Sequence, residues 1–152
     1  MEYNEQYRAS ITNPEAYWAE QAKSIAWYKA PQTTLTTTDW GTHSWYADGE
    51  LNTCYLAVDH QIEQGRGDQV ALYYDSPVTD TKEAITFNDL KERVSLFAGT
   101  LRKLGVEKGD TVVIYMPMIP EAAVAMLACA RLGAVHSVVF GGFAPNELAI
   151  RI

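Results

Sequence analysis

Two glycines, Gly141 and Gly142, stand between Phe140 and Phe143 where an apolar β-type run gives way to a helix-type run. Paired glycines let a ligand approach bare main chain, and a helix just behind offers N–H groups to an anion. In open α/β sheets ligands bind at the carboxyl ends of parallel strands, which is where this turn falls. The chemistry on offer is binding of an anionic or nucleotide-like group by backbone. Taken alone, a Gly-Gly turn between strand and helix is usually only a turn. Neither a G-x-x-x-x-G-K-[ST] nor a G-x-G-x-x-G pattern occurs in the chain.

Other reactive side chains offer less. The histidines are His43, His60 and His136, and none has a partner at metal-ligand spacing. His60 follows Asp59 on a helix-type segment and reads as half of a solvated pair. His136 falls inside a strand and reads as a hydrogen-bonded core residue. Ser137 adjoins it, but neighbouring strand residues face opposite ways and cannot form a nucleophile–base pair directly. Asp75, Asp80 and Glu121 sit near turns, and Glu121 is explained by the dipole of the helix whose first turn it joins. Cys54 and Cys129 show no C-x-x-C spacing and read as two reduced thiols acting as small apolar residues, which fits a reducing compartment.

The elements that must position these groups follow from periodicity. Asn52 is expected to cap a helix reaching Gln64, with Tyr55, Leu56, Val58 and Ile62 on its buried face. Gly65-Arg66-Gly67-Asp68 forms a turn cluster. Val70 to Tyr74 reads as a strand broken by Asp75-Ser76-Pro77, and Ile85-Thr86-Phe87 as a second short strand. Asn88 is expected to cap a helix whose apolar residues Leu90, Val94, Phe97, Leu101 and Leu104 step by 4, 3, 4 and 3. Gly105 then stops it, with Val106 as the apolar companion. Thr111 to Met116 is a continuous apolar run of the kind covered on both faces. Pro120 opens an alanine-rich helix, apolar on every side, that ends at Gly133 and leads to a strand from Val135 to Phe140. A helical crossover of this length implies parallel pairing with right-handed sense. Ala144-Pro145-Asn146-Glu147 opens a further helix.

The first 50 residues differ in texture. They hold all four tryptophans, Trp18, Trp27, Trp40 and Trp45. Asn13-Pro14-Glu15 is a helix-start signature, and Pro31 is expected to end whatever helix remains. The threonine-rich stretch from Gln32 to Gly41 reads as an extended arm laid over another surface, with a small independent aromatic cluster as the alternative.

Composition sets outer limits. The chain has 152 residues, enough for one core of ordinary size. At 47% hydrophobic and 20% charged it is too apolar for disorder. A formal net charge of −7 repels polyphosphate, so no nucleic-acid partner is expected. The acidic, polar start at Met1 lacks the apolar core of a secretory signal, and the longest apolar stretch, Ala122 to Ala130, is far short of the ~20 residues a membrane span needs. A cytoplasmic protein with no membrane partner is expected.

Several runs carry a more specific signal. Residues Tyr115 to Ala122 read YMPMIPEA, and the chain continues AVAMLACARLGA through Ala134, then VHSVVFGGF through Phe143. Together with Tyr7-Arg8-Ala9-Ser10-Ile11, Asn13-Pro14-Glu15 and Gly49-Glu50-Leu51-Asn52, these runs resemble the AMP-forming short-chain acyl-CoA synthetases of the adenylate-forming enzymes, the acetyl-CoA and propionyl-CoA synthetase group. The Tyr74-Asp75-Ser76-Pro77-Val78-Thr79 run resembles the propionyl branch more than the acetyl branch.

The resemblance implies an α/β fold in two parts. An aromatic-rich extension, residues 1–51, precedes the first βα units of a larger parallel-sheet adenylate-forming domain, residues 52–152, which is truncated and incomplete. It implies a ligase in which a short carboxylate attacks the α-phosphate of ATP, giving an acyl-adenylate and pyrophosphate. CoA thiolate then displaces AMP to give propionyl-CoA or acetyl-CoA, with Mg2+ neutralising phosphate charge. The family's phosphate loop, acyl pocket and catalytic lysine have no counterpart in these residues. What carries over is Phe140, Gly141 and Gly142, a turn that lies against the CoA nucleotide in the family. No catalytic residue and no metal ligand carry over; Arg151 is not a substitute for the family's phosphate-gripping arginines. The chain is therefore expected to be inactive by itself, its main partner being the remainder of its own polypeptide. A stand-alone nucleotide- or CoA-binding module and a purely structural packing segment stay open as alternatives.

Overall fold

A computed structural model describes residues 2–142 and 145–152. Phe143 of the Phe-Gly-Gly-Phe run and Ala144 of the helix-opening run lie outside the described residues. The chain divides into two compact units, residues 1–51 and 52–152.

The first unit opens with helix α1, Tyr3–Thr12, which sequence reasoning missed. Its start signal is a capping box in which Glu2 and Glu5 exchange side-chain and backbone bonds. Helix α2, Pro14–Ala22, begins as expected, with the Asn13 side chain accepting from the Ala16 N–H at 3.3 Å. It closes at Ala22, so Pro31 terminates no helix. The expected extended arm is instead half of a hairpin. Strand β1, Leu35–Thr37, pairs antiparallel with β2, His43–Trp45, placing Leu35 opposite Trp45. Trp18, Trp27, Trp45 and Tyr46 gather into a cluster, the alternative arrangement, while Trp40 is exposed. Trp18 meets Trp45 edge-on with centroids 6.4 Å apart, and Trp27 packs against Tyr46 at 5.6 Å. The Tyr46 hydroxyl donates to the Trp18 carbonyl at 2.7 Å, and the Trp27 indole N–H donates to the Ala22 carbonyl at 2.8 Å. Both aromatic polar tips are thereby satisfied.

The second unit starts with a helical stretch. The Asn52 side chain does accept from the Tyr55 N–H, at 3.0 Å, but the winding is mostly π-helical, over Tyr55–Asp59 and again over Ile62–Arg66. Gly65 itself is left-handed, φ +78°, and kinks the winding where the turn cluster was expected to begin, although helical bonding resumes as far as Arg66. Val58 and Cys54 are its fully buried residues. Strand β3, Val70–Ser76, and strand β4, Thr81–Thr86, form an antiparallel hairpin in which Asp75 and Ser76 continue the strand that they were expected to break.

Helix α3, Phe87–Lys103, is capped by Thr86 rather than Asn88. Thr86 and Asp89 form a reciprocal capping box, and hydrogen bonding to both the Thr86 hydroxyl and its backbone holds the Asp89 carboxyl below its ordinary pKa. Asn88 instead clips the preceding turn, donating its amide to Asp68 at 3.1 Å. The buried stripe is Leu90, Val94, Ala98 and Leu101. Leu104, expected in that stripe, is 77% exposed because the helix ends there. Gly105, with φ +92°, and Val106 complete the stop. Their N–H groups return to the Arg102 and Leu101 carbonyls, both at 3.1 Å.

Strand β5, Thr111–Met116, and strand β6, Val135–Phe140, pair in parallel, joined by helix α4, Pro120–Leu132. Gly133 ends α4 in the left-handed conformation, φ +76°. As expected of a helix apolar all round, every α4 residue except Glu121 is buried or partly buried. Val112, Ile114 and Met116 of β5 pack on the core formed with α3 and α4. Tyr115 is 41% exposed, so β5 is not covered on both faces here. A last helix, α5, spans Pro145–Arg151.

Candidate functional site

The parallel register brings Met116 opposite Phe140, so both strands end together and the turn at Gly141-Gly142 sits beside the loop that leaves β5. A Cβ on Gly141 would stand 2.9 Å from the Met116 carbonyl oxygen and 3.2 Å from the Pro117 nitrogen. No side chain fits between these two strands' ends, which gives the first glycine a packing reason. A Cβ on Gly142 would stand 2.9 Å from Cε1 of Phe140, so the phenyl ring folds back over the second glycine. That ring remains 57% exposed. The three expected residues are therefore contiguous in space and present ring and bare main chain at the carboxyl edge of the parallel pair.

The other candidates are not brought to this edge. His136 is exposed on β6, so it is no core residue; its strand has too little packed over that position to bury an imidazole. Among the described residues the buried His60 Nδ1 has no hydrogen-bond partner and stands 3.7 Å from Glu63, while Asp59 points elsewhere; the expected Asp59–His60 pair does not form. His43 meets the Thr37 hydroxyl at 3.2 Å across the small hairpin. Asp75 pairs with Lys82 at 2.9 Å across β3 and β4. Among the described residues no group of three or more His, Cys, Asp or Glu is gathered in a way that could hold a metal ion.

One cluster had no local signature in the sequence. The Arg131 guanidinium, near the end of α4, pairs with Asp59, donates to the Ser95 hydroxyl at 3.0 Å and donates to the Cys54 sulfur at 3.3 Å. Lys91 of α3 also reaches Asp59, at 3.3 Å. The Asn52 amide adds bonds to the Ala130 and Arg131 carbonyls at 3.2 and 3.1 Å. These bonds tie three helical segments around the end of α4 and engage the guanidinium with Asp59, Ser95 and Cys54. Burial pushes the Cys54 thiol above its ordinary pKa despite the nearby guanidinium, and burial does the same to Cys129. Neither thiol is prepared for nucleophilic work.

With this geometry in hand, comparison with known proteins is specific. The chain belongs to the AMP-binding enzyme family, whose model matches residues 58–152. A second model, acetyl-coenzyme A synthetase N-terminus, matches residues 3–57. An uncharacterized protein of Pseudomonas aeruginosa is 62% identical over 152 residues, all of this chain and 24% of that protein. The mitochondrial acyl-CoA synthetase short-chain family member 3 of Bos taurus is 55% identical over 99% of this chain and 22% of its own length. The acetyl-coenzyme A synthetase of Streptomyces coelicolor is 49% identical over 97% of this chain and 23% of its own length. Among solved structures, acetoacetyl-CoA synthetase from Streptomyces lividans superposes with a TM-score of 0.86 at 27% identity, covering 99% of this chain and 23% of that one. The chain thus spans about a quarter of the length of the relatives it matches, and the α/β architecture is that of an acyl-CoA synthetase segment. No described helix is long and apolar enough to cross a membrane.

Proposed function

We propose that this chain is part of an ATP-dependent carboxylate–CoA ligase that makes propionyl-CoA or acetyl-CoA through an acyl-adenylate, releasing AMP and pyrophosphate. The observation that carries the proposal is identity of 49–55%, over nearly all of this chain, to proteins named as short-chain acyl-CoA and acetyl-CoA synthetases. ATP and CoA are the substrates this reading requires, and Mg2+ would screen the phosphates.

Within that reaction the turn at Phe140, Gly141 and Gly142 is assigned to contact with the CoA nucleotide. Support comes from its place at the carboxyl edge of two parallel strands and from the absence of any side chain on the two residues after Phe140. Bare backbone lets a phosphate or ribose approach closely, and the exposed ring offers an apolar face. The ligand's charged groups are assigned to other parts of the polypeptide, which makes the isolated chain inactive. Residues 1–51 are assigned to a packing extension and 52–152 to the adenylate-forming domain. Two buried free thiols fit a reducing, cytoplasmic setting.

The test is turnover by the protein that carries this chain. With ATP, CoA and Mg2+, propionate or acetate should yield AMP and the matching thioester, while residues 1–152 alone should yield neither. Failure of the whole protein with every short carboxylate would end the proposal. Saturable CoA binding by the isolated chain would favour a stand-alone module instead.

A further inference from the structure

We draw no further inference here: the strongest candidate, the apolar cleft of the N-terminal unit walled by Ala22, Ile25, Trp27, Pro31 and Tyr46, carries none because its Lys23 ammonium is already matched by Glu20 and nothing in the structure shows what covers it.

Discussion

The Met116 carbonyl oxygen lies 2.9 Å from the point where a Cβ on Gly141 would stand. Neither this oxygen nor the Pro117 nitrogen, 3.2 Å from the same point, belongs to a flexible side chain that could swing away; both are main chain where β5 ends. Gly141→Ala should therefore displace the turn and cost about 1–3 kcal/mol of stability, the range for overpacking a filled site. In the proposed ligase, the second half-reaction should suffer more than adenylate formation, because CoA is the substrate assigned to this turn. Pyrophosphate exchange, which reads adenylation, compared with thioester formation checks the split. Equal loss of both would remove the assignment and leave only a packing role.

The ion pair between Arg131 and Asp59 has side chains only 24% and 15% exposed. Arg131→Met should leave the Asp59 carboxylate with Lys91 alone and should cost about 3 kcal/mol, the lower end for breaking a buried pair. Denaturant unfolding gives the number. A double-mutant cycle with Asp59→Asn should show coupling above ~0.5 kcal/mol; additive losses would mean that the contact contributes nothing of its own.

Asp48 accepts the Gln32 N–H at 2.9 Å and the Thr33 N–H at 3.3 Å, and these bonds, that from Gln32 foremost, hold its carboxyl below the ordinary range. A depressed carboxylate stabilises the folded form fully above its unfolded pKa of ~3.9 and loses that contribution as pH falls through the lower, folded value. The N-terminal unit should accordingly loosen in acid, below about pH 4. Its four tryptophans report the transition by fluorescence. In Asp48→Asn that acid step should shrink, and an unchanged pH profile would refute the role.

Both cysteines are free and buried, and burial raises both thiol pKa values. In the native protein at neutral pH, Cys54 and Cys129 should resist an aqueous thiol reagent over hours, then react fully once denaturant is added. Rapid labelling of either thiol without denaturant would show that its cover opens.

Leu90 and Leu104 share a periodic pattern but not an environment, at 4% and 77% exposed. Leu90→Ala should cost about 2–5 kcal/mol, whereas Leu104→Ala should fall within about 0.5 kcal/mol. Thermal unfolding of the two variants separates them directly.

Much of this arrangement was legible from local chemistry. The βαβ unit declared itself because Pro120 and Gly133 punctuate an apolar helix between two apolar strands, and each mark has one stereochemical meaning. The Gly141-Gly142 turn was legible as a place, since strand and helix signals meet there. Family resemblance supplied its assignment to CoA. What stayed hidden depended on contacts between distant residues. Nothing near Arg131 announces Asp59, 72 positions away. The α3 cap was misplaced by two residues because Thr86 and Asn88 are both competent caps, and Asp89, in reach of Thr86, decided between them. Helix α1 was missed because glutamate is an uncommon first member of a capping box. His136 was assigned to the core on strand periodicity alone, which says which face a residue takes and not whether that face is covered.

Helix α4 sets a limit on how this protein can change over generations. Twelve of its thirteen residues are covered at least in part, and Ala125 and Ala128 are among those fully buried. Enlarging one requires a matching retreat in α3, β5 or β6, so acceptable changes there must arrive in pairs. Outward positions such as Leu96 or Tyr73 face no such condition and can vary singly. Lineages descended from this sequence should therefore keep the crossover nearly intact while their outer surfaces diverge.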